Sequence, residues 1–148
     1  MGHRIEAIVA KGELDKELLS KFELPCVIHE GFSIVGLDAG HSDHWAEKLS
    51  IPNENSGNII LNCPVTHYFA KELGLKEYAI IFTDYFGGFG EQYATVYSAG
   101  KVAMEEMEGG INQALRTIGV FKKGGLDEFD TICLGRYRSF HEHFTKYF

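Results

Sequence analysis

The chain has 148 residues, of which 45% are hydrophobic and 24% charged, a composition that is ordinary for a globular protein and argues against disorder. Its net charge of −7 disfavours a general nucleic-acid binder, because that affinity comes mostly from Lys and Arg neutralising phosphates. No apolar run approaches the roughly 20 residues that cross a membrane, and the amino terminus lacks a signal-peptide pattern. We therefore expect one globular domain over residues 1–148, cytoplasmic, with neither a nucleic-acid nor a membrane partner.

The first half of the sequence predicts alternating strands and helices. In chain order these are a strand at residues 4–10, a helix near 13–22, a hairpin joining 26–29 to 32–38, a helix near 42–49, a strand at 58–62 and a helix near 64–73. The hairpin turns at Glu30-Gly31, where glycine can take a positive φ. Ser42 is the expected amino-terminal cap of its helix. Pro64 suits a first helical position, because the N–H it lacks would be unpaired there.

The second half is organised around a predicted antiparallel meander at residues 78–107. Its first strand carries apolar residues on both faces, which is typical of a central strand. Glycine-containing loops separate its three strands and favour hairpin connections.

Beyond the meander, the spacing of apolar residues predicts a helix near residues 110–118. Residues 131–134 could add an edge strand, and a capping box of Ser139 and Glu142 predicts a terminal helix near residues 139–147. The sequence therefore predicts an α+β fold, a mostly antiparallel sheet with helices packed against it. A single core is expected to contain Ile80, Phe82, Val96, Leu115 and Ile118.

The glycine-rich turn from Gly87 to Gly90 invites a comparison with phosphate-binding loops. The dinucleotide-binding pattern leads from a strand into a helix, whereas residues 92–98 alternate like a strand. No Gly-Lys-Ser/Thr follows, so a P-loop is excluded as well. A bulged or wide hairpin connection is the simpler interpretation.

The residues around this turn combine rings, acids and an amide beside a flexible backbone, a mixture that is common in binding loops. The candidate ligand or partner contacts are Asp84, Tyr85, Phe89, Glu91 and Gln92. They could fix a small ligand or anchor a protein partner, and the sequence leaves both open.

Arg136 and Arg138 flank Tyr137 in the one compact basic and aromatic element of the sequence. Two arginines can hold a carboxylate or phosphate through paired hydrogen bonds. The alternative is that they pair with nearby carboxylates such as Asp127 or Glu128 and tie down the carboxyl-terminal segment.

His41 and His44 are spaced so that both could reach one metal on a helix. No third ligand stands at a recognisable spacing, so we expect no bound metal and no cofactor.

Cys63 precedes a helix with His67 four residues later, which is the nearest approach to an activated nucleophile. A small core residue is the more ordinary role for such a cysteine. Together with Cys26 and Cys133 it makes an odd number of widely spaced thiols, which predicts neither a disulfide framework nor a zinc ribbon.

Two functional classes fit these features. The first is a non-enzymatic binding or adaptor protein that acts through contact with another protein, as the acidic composition and the lack of a catalytic motif favour. The second is a small enzyme or small-ligand-binding module with its pocket beside the Gly87–Gly90 turn. A homo-oligomer is compatible with either class.

Overall fold

The computed structural model describes residues 3–52, 60–86 and 89–147. Its centre is a six-stranded antiparallel sheet, which confirms the predicted α+β fold. The strands are β1 (His3–Lys11), β2 (Cys26–His29), β3 (Phe32–Gly36), β4 (Glu77–Phe86), β5 (Phe89–Ser98) and β6 (Lys101–Glu108), in the spatial order β2-β3-β1-β4-β5-β6. The helices are α1 (Lys16–Lys21), α2 (Ala39–Leu49), α3 (Pro64–Glu72), α4 (Ile111–Thr117) and α5 (Glu128–Thr131), with 3₁₀ helices at Leu134–Arg136 and His141–Tyr147.

The first strand, β1, lies in the middle of the sheet and joins its two halves. It pairs with β3 on one side and with β4 on the other, both antiparallel. Ile5, Ala7, Ile8 and Val9 are all fully buried, because helices cover both faces of the sheet. The predicted β2–β3 hairpin and the β4–β5–β6 meander are both present.

The two faces of the sheet carry separate cores, so the prediction of a single core was wrong. Ile80 and Phe82 face the core covered by α1, α2 and α3. Val96, Leu115 and Ile118 belong to the opposite core, under α4 and the carboxyl-terminal segments. The reason is strand alternation: in β4 the neighbours Ala79 and Ile81, rather than Ile80 and Phe82, point towards α4.

Helix α2 begins three residues earlier than predicted, with a different cap. Asp38 is the N-cap residue, and its side chain accepts a hydrogen bond from the backbone N–H of His41 at 3.2 Å. Ser42 is instead a fully buried residue inside the first turns of the helix. Helix α3 begins at Pro64 as predicted.

The prediction of an edge strand at residues 131–134 was wrong. Thr131 ends α5, and Cys133 has a left-handed backbone (φ 63°), which an extended strand does not allow. The terminal helix is a 3₁₀ helix, His141–Tyr147, and the Ser139 hydroxyl accepts from the His141 N–H at 2.8 Å. Of the predicted strand at residues 58–62, residues 60–62 are not part of a strand, and Asn58 and Ile59 lie outside the described residues.

Candidate functional site

The residues predicted to bind a ligand or partner around the glycine turn lie at one end of the β4–β5 hairpin. Phe86 pairs with Phe89, so the strands are linked by Gly87 and Gly88, which lie outside the described residues. The carboxylate of Asp84 lies 3.7 Å from the Arg4 guanidinium. Tyr85 packs against His3, with 5.4 Å between ring centroids.

The partner strand places Glu91 and Gln92 opposite Asp84 and Thr83. Glu91 is exposed, and the Gln92 carbonyl accepts from the Gly109 N–H at 2.7 Å. Gly90 has a structural role, because a β-carbon there would lie 2.3 Å from the Tyr85 ring. The side chain of Phe89 is outside the described part of the structure. Structural contacts therefore account for Asp84, Tyr85 and Gly90 at this end of the hairpin without a ligand.

The two arginines predicted to bind or to tie down the carboxyl-terminal segment are both exposed. The Arg138 carbonyl accepts from the Arg4 N–H at 2.7 Å, which brings its main chain beside the arginine that pairs with Asp84. The expected carboxylate partners are engaged elsewhere. Glu128 lies 3.6 Å from Arg116, and Asp127 caps α5 and accepts from the Asn112 amide at 3.1 Å.

His41 is a buried core residue rather than half of an exposed metal-binding pair. Its Nε2 lies 2.7 Å from the Phe22 carbonyl, which can only accept, so Nε2 carries the proton. Burial lowers the pKa of His41. Across residues 3–52, 60–86 and 89–147, no three His, Cys, Asp or Glu side chains are grouped to hold a metal ion.

Cys63 is not activated by His67. Cys63 is 2% exposed, and its Sγ lies 3.3 Å from the Thr66 hydroxyl. The His67 ring is hydrogen-bonded to other residues. All three cysteines are free thiols.

A pocket of about 670 Å³ opens at the other end of the β4–β5 hairpin, roughly 23 Å along the strands from Tyr85 at about 3.3 Å per residue. We call it the Tyr97 pocket. Its wall is formed by His67, Lys71, Leu75, Lys76, Tyr78 and Tyr97, with residues of the two adjoining turns. It is larger than the pocket of about 450 Å³ beside Tyr147.

Backbone hydrogen bonds fix both rims of the Tyr97 pocket. At the end of α3, the Leu75 N–H donates to the Ala70 carbonyl at 2.9 Å. At the β5–β6 turn, the Ala99 N–H donates to the Lys76 carbonyl at 2.8 Å. The rings between these rims contact each other, since Tyr78 and Tyr97 are nearly parallel with centroids 6.0 Å apart and His67 lies 4.4 Å from Tyr97.

A chain of hydrogen bonds joins three side chains of this wall, His67, Tyr78 and Tyr97, through Asn62, which is not a lining residue. His67 Nε2 lies 2.6 Å from Asn62 Oδ1, which can only accept, so Nε2 carries the proton. His67 Nδ1 is then a bare acceptor, and the Tyr78 hydroxyl donates to it at 2.6 Å. The Asn62 amide donates to the Tyr97 hydroxyl at 3.1 Å. The Tyr97 proton is consequently left to donate outside this chain.

The protonation states in this network suit binding better than acid–base chemistry at neutral pH. Burial lowers the pKa of His67, which keeps the imidazole neutral. Burial, with a smaller effect of Tyr97, raises the pKa of Tyr78 to about 12. Both groups therefore hold fixed hydrogen-bonding roles.

Sequence reasoning missed this site, although one signal could have found it. If two residues link β4 and β5 at the glycine turn, the register places Tyr78 directly opposite Tyr97, as the structure has it. A cross-strand tyrosine pair is a common stabilising element of sheets. His67, the fourth residue of α3, gives no sign in the sequence that its ring reaches that pair.

Comparisons with known proteins found no family model, no curated protein and no solved structure that matches this chain. In the described part of the chain, none of the helices has the length and apolar composition needed to cross a membrane. The function is therefore inferred from the geometry of the site.

Proposed function

We propose that this protein binds a small organic molecule in the Tyr97 pocket. The observation that carries the proposal is the hydrogen-bond chain Tyr97–Asn62–His67–Tyr78, which orients the polar groups of the wall. Ligand sites combine apolar and aromatic walls with a few polar groups held in position, and a volume of about 670 Å³ lies in their usual range. Groups held this way lose little freedom when a ligand binds.

The residues of the pocket wall favour ligand binding over catalysis. The histidine is neutral and already bonded at both nitrogens, and burial raises the pKa of Tyr78 to about 12. The nearest thiol, Cys63, is buried and turned to Thr66. These features favour a ligand-binding module over an enzyme, and they move its pocket away from the glycine turn.

The test is a small-molecule screen by thermal shift and ligand-observed NMR on the wild type, Tyr97→Phe and Tyr93→Phe. Tyr93 is the matched control, because it is a half-buried tyrosine on the same face of β5 but outside the pocket. Compounds that bind in the pocket should stabilise the wild type and Tyr93→Phe and should act more weakly on Tyr97→Phe, which keeps the ring and loses the hydroxyl. Equal effects on all three proteins, or no binding compound at all, would contradict the proposal.

A second candidate function is contact with a basic protein partner at β6, the acidic sheet edge. Glu105, Glu106 and Glu108 are exposed there beside Val102 and Met107, which are 45% and 42% exposed. An edge strand has unpaired backbone groups that another strand can use, and acidic side chains favour a basic one.

This second function can be tested with immobilised protein. Proteins retained by the wild type and by a Glu47→Gln/Glu72→Gln control on the helices should be lost from a Glu105→Gln/Glu106→Gln variant. Equal retention on all three would exclude β6 as the contact.

A further inference from the structure

The charges around the Tyr97 pocket differ from those of the chain as a whole. The sequence has 21 Asp and Glu against 14 Lys and Arg, yet the lining residues include Lys71 and Lys76 and no carboxylate. His67 and Lys71 are four residues apart on α3 and so share one side of the helix. Both lysines are exposed at the rim, and neither enters an ion pair within the described residues.

The hydrogen-bonding groups of the wall favour the same kind of ligand as its two lysines, one that carries acceptors. The Tyr78 proton is used by His67, and the Tyr97 oxygen already accepts from Asn62. The donors that the lining side chains keep for a ligand are therefore the Tyr97 O–H and two ammonium groups. A ligand that fits must supply acceptors, and an anionic one gains most.

The rest of the wall is suited to a flat organic body. The rings of His67, Tyr78 and Tyr97 contact one another, and Leu75 lies on the side of α3. Aromatic faces favour ring stacking, which an inorganic anion cannot use.

We infer that the ligand is a small organic acid, a carboxylate on a flat and largely apolar body. The carboxylate lies between Lys71 and Lys76 and accepts from the Tyr97 hydroxyl, and the body packs on the aromatic wall. The inference rests on the proposed ligand-binding function and names the ligand class of that site.

The test compares two probes of the same shape, naphthoate and its neutral amide, by NMR titration at low salt. The acid should bind about three- to ten-fold more tightly, because each exposed charge pair contributes modestly. In a Lys71→Gln/Lys76→Gln variant the two probes should bind equally. Lys122→Gln/Arg136→Gln makes the same change of net charge at exposed residues in segments that pack on the opposite face of the sheet, and it should keep the preference.

Each contrary outcome identifies what fails. If the amide binds as tightly as the acid to the wild type, or if the two control substitutions abolish the preference, the inference of an acidic ligand is wrong and the pocket can still be a binding site. If inorganic phosphate binds as tightly as naphthoate, the aromatic body contributes nothing and the inferred class is wrong. If neither probe shifts signals of the pocket in the titration and no compound of the screen binds, the proposed function fails as well.

Discussion

Glu6 is a half-buried acid among other charges at the start of β1. Its carboxylate lies 3.8 Å from Arg4. Burial raises the pKa of Glu6 to about 6, Arg4 lowers it in part, and Asp38 and Asp84 raise it further. Between the ordinary pKa and about 6, the folded protein holds a proton that the unfolded chain has lost. Stability due to Glu6 therefore falls as the pH rises through this window.

We predict that Glu6→Gln stabilises the protein at pH 7.5 and is nearly neutral at pH 4.5. A shift of about 1.5 pH units from 4.5 to about 6 corresponds to about 2 kcal/mol, and the lost contact with exposed Arg4 removes part of this gain. Urea unfolding at the two pH values measures the difference. The exposed Glu13→Gln is the control and should change stability little at either pH. An unchanged or lower stability of Glu6→Gln at pH 7.5 would contradict the prediction.

The candidate site shows how far single residues could be predicted. Cys63 was correctly weighed as a buried core thiol, because an apolar strand-like segment and a proline flank it. His67 was considered as a residue that could activate Cys63, but its hydrogen bonds go to Tyr78 and Asn62. Such partners come from different elements, and their meeting depends on how α3 lies on the sheet, which local sequence patterns do not encode.

At the scale of elements, the start of α2 depends on Asp38 rather than on Ser42. We predict that Asp38→Ala lowers the free energy of unfolding by about 0.5–2 kcal/mol, because the backbone N–H of His41 loses its acceptor. Ser42→Ala should be neutral or stabilising, since the buried Ser42 hydroxyl has no hydrogen-bond partner in the described structure. Chemical denaturation of both variants measures the contrast. A larger loss for Ser42→Ala than for Asp38→Ala would show that the predicted cap was right after all.

The elements themselves were largely predictable, and the errors have physical causes. The helix α4 was found because burial of one face sets its sequence period, and β4 was found because a short run that is apolar on both faces is typical of a central strand. Residues 131–134 are apolar enough for a strand, but the left-handed backbone of Cys133 interrupts any extended run. The least predictable feature was the pairing of strand faces with helices. Alternation of side chains shows that a strand has two faces, but it does not show which helices pack on each face.

At the scale of the whole molecule, the sheet couples two cores that the chain builds from different segments. Leu115 is fully buried in one core, while Trp45, the one tryptophan, is 4% exposed in the other. If residues 1–148 form one cooperative domain, damage to one core must be felt in the other.

We predict that Leu115→Ala lowers stability by about 2–5 kcal/mol through the cavity it leaves. Its unfolding midpoint should fall equally in circular dichroism and in Trp45 fluorescence. Gln113→Ala, at an exposed position of the same helix, is the control and should leave both midpoints in place. Fluorescence that keeps the wild-type midpoint while the circular dichroism shifts would mean that the two cores unfold separately.

The central place of β1 has a consequence for the order in which the chain can fold during synthesis. Its first neighbour, β3, follows soon after it, so β2, β3 and β1 can pair early. Its other neighbour comes much later, since His3 and Thr83, whose side chains are hydrogen-bonded, are 80 residues apart. Until β4 has left the ribosome, β1 presents an apolar, unpaired edge to other nascent chains. We therefore expect association of nascent chains through β1 to be most favourable in the interval between translation of β3 and of β4.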